Sequence, residues 1–268
     1  MNFRILKQTI YRLLRKAHLL GIVDYLWFVR AALRAKEQNT QFLKSNPAIQ
    51  VPPLHILFDA LHNCSYRDWY VSGITDAKRI LATIRSRKPT ESLAILEWGC
   101  GPARVIQHLR AIDPNLSRII GSDYNATTIE WCKSSLEGIE FLLNGLQPPL
   151  PMGNQSVDAV YAISVFTHLS EAMHQAWIEE MLRILRPGGI LVLTLHGEKK
   201  RNYLLPDELT AFDHGKLVVR KNVQEGKKHY LAYHSPRFVR DSLLARFCNI
   251  EHVDAPEMHQ DIWIATAP

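Results

Sequence analysis

Glu97, Gly99, Gly101 and Asp123 are the residues whose types and spacing come closest to a binding chemistry. Glu97 closes a short apolar run, Leu93 to Leu96, and two glycines follow at alternate positions before an apolar-periodic segment opens at Ala103. A buried strand, a tight glycine turn and a helix bring backbone against a nucleotide-like ligand in open α/β sheets. A carboxylate at the strand end repels phosphate, so this turn fits a ligand that carries positive charge. Asp123 stands 22 residues beyond Gly101, where a carboxylate can accept both ribose hydroxyls. Tyr124 beside it can lie against an adenine face, and Asn144 can donate and accept at an adenine edge.

Histidines supply the second chemistry. His168 and His196 each follow an expected strand, His234 ends an expected hairpin and His259 precedes the last strand. A histidine so placed can take a proton from an acceptor hydroxyl. Of the four, His168 is the candidate catalytic residue, while His196 and His234 are expected in loops or at the surface. The cysteines Cys64, Cys100, Cys132 and Cys248 are scattered without Cys-x-x-Cys or paired Cys/His spacing. This spacing predicts no metal site and a reduced, cytoplasmic setting.

The elements that must position these residues alternate from residue 93 onward. Strands are expected at 93–96, 118–122, 139–143, 157–163 and 190–195, with helices at 103–111, 125–136 and 170–185 between them. Asn125, Ser170 and Ser235 are of the types that cap helices. Strand and helix in alternation predict a mostly parallel sheet with helices on both faces. Later residues break the rhythm with a hairpin at 216–234, a helix at 235–247 and strands at 250–253 and 261–266. Upstream, residues 39–53 read as a linker, and Cys64 to Gly73 as an aromatic loop whose Trp69 or Tyr70 could form a lid. A helix is expected from about Thr75 to Arg85.

Two ligands compete for the glycine turn. A dinucleotide requires Gly-x-Gly-x-x-Gly, but Arg104 stands at the sixth position, and pyrophosphate would lie near Glu97. S-adenosylmethionine carries a sulfonium and an ammonium and no phosphate, so Glu97 attracts it and two glycines suffice for backbone approach. The segments Leu96–Arg104, Gly121–Asp123, Val157–Leu169 and Leu185–Leu193 resemble the successive motifs of class I S-adenosylmethionine-dependent methyltransferases, with the flavour of the bacterial small-molecule group. The resemblance covers roughly residues 65–267. It implies a Rossmann-like seven-stranded sheet in the order 3-2-1-4-5-7-6, with strand 7 antiparallel. It also implies that Glu97, Gly99, Cys100 and Gly101 line the methionine moiety, and Asp123 and Tyr124 the nucleoside. Asn144 and Gly145 would then meet the adenine, and Ile163 and Ser164 the sulfonium. Two positions depart from the family pattern: Ala103 replaces a common third glycine and Asn144 a common acid.

The implied reaction is methyl transfer from S-adenosylmethionine, leaving S-adenosylhomocysteine, to an oxygen, nitrogen or carbon of a small molecule. Alignment and exclusion of water alone can supply about 7–11 kcal/mol of such a barrier. The alternatives are a nucleic-acid methyltransferase and a cofactor-binding protein without turnover. Charge bears on the former. Residues 1–36 hold eight Lys or Arg against the single acid Asp24, a net of +7, and the remainder is close to neutral. Nucleic-acid binding usually demands a basic face, so the neutral body favours a small acceptor. Residues 1–53 are thus expected to be a basic helical extension and linker, and residues 54–268 the catalytic domain with residues 216–234 inserted. Leu6, Ile10, Leu13, Leu14 and Ala17 fall at helical spacing, so the extension could pack on the domain, on a second subunit or on a membrane surface.

Overall fold

The computed structural model describes residues 20–221, 223–253, 255 and 259–268, so the helix expected over Leu6–Ala17 lies outside the described residues. Nine strands are described: β1 Leu93–Trp98, β2 Leu116–Asp123, β3 Glu140–Leu143, β4 Val157–Ile163, β5 Leu185–Leu195, β6 Leu217–Arg220, β7 Leu231–His234, β8 Cys248–Val253 and β9 Asp261–Thr266. Seven form one sheet in the order β3-β2-β1-β4-β5-β9-β8, and β6 and β7 pair separately. The pairs β1–β2, β2–β3 and β4–β5 are parallel, whereas β9 runs antiparallel to both β5 and β8. This is the predicted topology, with the hairpin taking the numbers 6 and 7. Every residue of β1 is buried, as expected of a strand covered on both faces. The largely exposed β8, with no buried residue, has the profile of an edge.

The chain divides into two compact units, Gly21–Gly145 and Leu146–Pro268. In the first, helix α1 runs Leu20–Ser45, α2 Leu54–Leu61, α3 Tyr66–Arg85, α4 Leu109–Ile112 and α5 Ala126–Ser135. The second holds α6 Glu171–Ile184 and α7 Pro206–Asp213. Each predicted cap is in place: Asn125 Oδ1 accepts from the Thr128 amide, Ser170 Oγ from Met173 and Ser235 Oγ from Phe238. Beyond Ser235, however, the expected helix is only Pro236–Phe238 followed by a π-turn, Val239–Leu243.

Three further stretches differ from the sequence reading. The linker expected from residue 39 is still helix as far as Ser45. There Asn39 is buried, donating to the Cys64 carbonyl at 2.8 Å and accepting from the Tyr66 amide at 2.9 Å. The aromatic loop at 64–73 belongs to α3, because Ser65 caps it through the Asp68 amide at 3.1 Å. Trp69 is no lid: it is fully buried, and its indole donates to the Pro102 carbonyl at 3.3 Å. Tyr70 packs edge-on against His108 at 4.8 Å. Finally, the helix expected from Ala103 is a run of turns, a 3₁₀ segment at Ile106–His108 and the short α4. Ala103 has φ +54°, a left-handed conformation that a regular right-handed helix cannot contain.

Arg104 occupies the position of the missing third glycine, and the close approach has moved elsewhere. A Cβ on Gly73, in α3, would lie 2.0 Å from the Arg104 carbonyl oxygen. The Arg104 guanidinium meanwhile turns back to α3, 2.6 Å from Asp76 and 3.2 Å from Ser72. Gly73→Ala is therefore expected to lower unfolding stability by about 1–3 kcal/mol, the usual cost of overpacking. Urea denaturation would measure it, with the helical Gly21→Ala, whose Cβ meets nothing, as a control that should hold or raise stability.

Candidate active site

In the first unit the turn after β1 spends its amides within the protein. The Gly99 and Cys100 amides both donate to the Ser122 carbonyl, at 2.7 and 2.9 Å. The Gly101 amide donates to Asp123 Oδ2 at 3.0 Å. A loop that cradles phosphate needs such donors pointing at the anion, and these three point into β2 and its end. Gly99 and Gly101 have φ of +73° and +48°, which glycine adopts without the Cβ clash other residues meet. Glu97 is buried, and its Oε2 accepts from the Ile106 amide at 3.0 Å, so it also clasps the far end of the turn. That contact joins residues nine apart, which strand-end position alone does not reveal.

Carboxylates surround this turn. Asp123 Oδ1 accepts from the Asn125 amide at 2.8 Å, leaving each carboxylate oxygen with further acceptor capacity. Burial raises its pKa above the ordinary aspartate value, amides at 101, 124 and 125 oppose that, and the Asp59 carboxylate of α2 adds to it. Burial and the charges of Asp123 and Asp59 push Tyr124 up to about 12. Cys132 also rises to about 12, through burial and then Asp123 and Glu97, and buried Cys100 rises well above the usual thiol value. Both thiols therefore stay protonated, and the local potential is negative. Cys100 packs its side chain against Gly121, where a Cβ would lie 3.1 Å from the sulfur, so only its backbone belongs to the turn. Asp59 escaped the sequence reading because no motif spacing links it to the turn. Asn144, just after β3, donates from Nδ2 to the Gly145 carbonyl at 2.7 Å, while its buried Oδ1 has no hydrogen-bond partner among the described residues. Asn144 thus keeps an acceptor, and its amide retains a second N–H beyond the one given to Gly145.

In the second unit Ser164, after β4, holds φ +63° through a closed ring of hydrogen bonds. Its amide donates to Thr194 Oγ1 at 2.9 Å, and that hydroxyl donates to Gln260 Oε1. Gln260 Nε2 donates to Ser164 Oγ at 2.7 Å, and Ser164 Oγ pairs with Thr167 Oγ1 at 2.9 Å. Thr194 and Gln260 are site-shaping residues the sequence did not signal, since Gln260 comes from 96 positions downstream.

His168 lies in the 3₁₀ turn Phe166–His168 and is held by the hairpin. The Tyr230 carbonyl is 2.8 Å from His168 Nδ1, so Nδ1 carries the proton and Nε2 is the basic nitrogen. The Gly226 amide donates to the His168 carbonyl at 2.9 Å, and Glu225 accepts from the Ser170 amide. Contrary to the surface placement expected of them, His234 is buried and His196 is half-buried. His234 faces buried His174, Nε2 to Nε2, at 2.7 Å. His174 donates from Nδ1 to the Ser170 carbonyl, so its Nε2 accepts and His234 donates. That leaves His234 Nδ1, like His196 Nδ1, a buried acceptor with no partner among the described residues. Among those residues no group of His, Cys, Asp and Glu side chains is placed to hold a metal ion.

The sheet order and the strand-end geometry define the fold of class I S-adenosylmethionine-dependent methyltransferases. Residues 96–193 match the family described as a methyltransferase domain. A trans-aconitate 2-methyltransferase of Azoarcus sp. is 27% identical over half of this chain and half of its own length. A tRNA (carboxymethyluridine(34)-5-O)-methyltransferase of Arabidopsis thaliana is 30% identical over 57% of this chain and 35% of its own. The matches thus span half or less of these curated relatives. Among solved structures, the S-adenosylmethionine-bound amino pentose methyltransferase CalS10 of Micromonospora echinaspora shares the fold. Its TM-score is 0.51 at 17% identity, with 75% of this chain and 92% of that one covered.

The histidine cluster carries a pH dependence with a definite sign. Burial lowers His174 to about 4 and His196 to about 3, the latter helped by His168 and Lys200, and pushes His234 well below its usual value. Unfolding restores a value near ~6.5, so the unfolded chain binds protons first as pH falls. Stability should be full above that value and fall steadily between pH ~6.5 and ~4. Urea midpoints at several pH values check this, and a His174→Leu/His234→Leu double variant should show a shallower decline whatever its absolute stability.

Proposed function

We propose that this protein transfers the methyl group of S-adenosylmethionine to a small-molecule acceptor by in-line displacement. The observation that carries the reading is the committed glycine turn: its three amides are consumed, and Asp59, Glu97 and Asp123 make its surroundings negative. Such a site rejects pyrophosphate and attracts a sulfonium and an ammonium. When bound, the cofactor supplies an electrophilic methyl carbon whose bond to sulfur breaks toward sulfur.

The remaining roles belong to this chain. Asp123 accepts the ribose hydroxyls, Tyr124 lies against the adenine, and Asn144 Oδ1 accepts from the adenine amine beside Gly145. Gly99, Cys100 and Gly101 offer backbone to the methionine part, and Glu97 fixes that turn while supplying charge. In the second unit Ile163 and Ser164 border the sulfonium, with Ser164 locked by Gln260 and Thr194. His168 takes the acceptor's proton on Nε2 when the acceptor is a hydroxyl, because the Tyr230 carbonyl reserves Nδ1 as the donor.

A small acceptor is favoured by how the arginines of residues 85–246 are used. Arg104, Arg118, Arg183, Arg201 and Arg220 each pair with a carboxylate at 2.6–2.7 Å, which leaves their charge neutralised rather than offered to phosphates. Similarity to a tRNA methyltransferase, together with the basic residues 1–36, supports nucleic acid as the second reading.

Calorimetric titration with S-adenosylhomocysteine should give heat with the wild-type protein and at least tenfold weaker binding with Asp123→Ala. A silent wild-type titration would overturn the cofactor reading. Methyl label from S-adenosylmethionine should enter a small-metabolite extract rather than total tRNA, and the reverse outcome selects the second reading. With a hydroxyl acceptor, His168→Asn should lower kcat by about 10²–10⁴-fold, with little change in KM.

A further inference from the structure

Helix α1 presents two apolar faces, and the fold uses one. Phe28, Ala31, Ala32 and Ala35 pack with Leu54, Phe58 and Cys64, within the first unit. Rotating around the helix by 100° per residue places Ile22, Tyr25, Leu26, Val29 and Leu33 on a separate stripe. These side chains are exposed, at 64% for Ile22, 65% for Tyr25, 61% for Leu26 and 69% for Leu33. Scattered exposed apolar residues are ordinary, but five in one stripe along more than three helical turns form a contiguous patch of the kind that marks an interaction surface.

What covers the stripe is indicated by charge. Arg30 and Arg34 are exposed along one border of the stripe, Lys36 lies near its C-terminal end, and Glu37, in line with Arg30, is the acid on that border. The sequence immediately preceding α1 adds Arg4, Lys7, Arg12, Arg15 and Lys16. A second copy packed in parallel would set Arg30, Arg34 and Lys36 against the same cations of its partner. A nucleic acid would meet the cations but gain nothing from five apolar side chains. An anionic lipid surface answers both features, taking the apolar side chains at the headgroup boundary and the cations at the phosphates. Tyr25, within the stripe, is also a residue type that favours this boundary. Among the described residues no helix is long and apolar enough to cross a membrane, which leaves a surface-lying geometry.

We infer that helix α1 docks this protein on anionic membrane surfaces through Ile22, Tyr25, Leu26, Val29 and Leu33, with Arg30 and Arg34 at the headgroups. The surface is separate from the cofactor residues, so the inference stands or falls apart from the identity of the acceptor.

The test is co-sedimentation of the full chain with vesicles of phosphatidylcholine alone and of phosphatidylcholine mixed with phosphatidylglycerol. Binding is expected only to the mixed vesicles and should weaken with salt. Each cation near such a surface contributes roughly fivefold in partitioning. Arg30→Glu/Arg34→Glu should therefore lose at least tenfold, as should Leu26→Glu/Leu33→Glu. These positions are exposed, so circular dichroism and S-adenosylhomocysteine binding should match wild type in both variants. Three results would overturn the inference. They are no binding to mixed vesicles, a solution dimer that Leu26→Glu/Leu33→Glu converts to monomer, or tRNA binding abolished by the arginine variant and untouched by the leucine variant.

Discussion

The structure of the first unit depends on one exchange: the amides after β1 are given to the end of β2. Gly99 and Cys100 share the Ser122 carbonyl and Gly101 takes one oxygen of Asp123. This fixes the turn against β2, puts the Asp123 carboxylate at the turn's mouth and removes the donors a phosphate would need. Asp123 is oriented by the same contacts, with its second oxygen on the Asn125 amide at the start of α5. A single network therefore sets the turn's shape, its charge and the direction of the carboxylate.

The second unit solves a different problem, which is to hold a non-glycine residue at positive φ and a histidine in one tautomer. Ser164 is fixed by hydroxyls of β5 and of the 3₁₀ turn after β4, and by the side-chain amide of the residue before β9. His168 is fixed by the hairpin, through the Tyr230 carbonyl and the Gly226 amide. The inserted hairpin is thus tied to the segment after β4, and the buried His174–His234 pair joins α6 to β7 beneath it. Burying neutral imidazoles in this way makes the packing of the unit sensitive to acid.

Sequence reading succeeds here where a feature is local. The parallel strands were legible because each is a short apolar run bounded by turn residues, and the caps because one side chain serves an amide three residues on. It failed where a distant contact decides. Residues 39–45 stay helical because Asn39 bonds to Cys64 and Tyr66. The segment from Ala103 is not a regular helix because Glu97 and the left-handed turn reshape it. Trp69 looks like a lid residue by composition and is a core residue by its contact with Pro102.

The sequence by itself determined the element order, the mostly parallel sheet, the glycine turn with its flanking acids and the basic character of residues 1–36. These follow from periodicity, spacing and charge, which the chain carries without folding. Only the tertiary structure decided that Asp59 joins those acids, that Gln260 and Thr194 lock Ser164 and that His234 is buried against His174. It also decided that Gly73, rather than position 104, is where the backbone needs a glycine. Each of these depends on burial and on contacts between residues far apart in sequence, which set hydrogen-bond partners, tautomers and pKa shifts only once the chain has closed on itself.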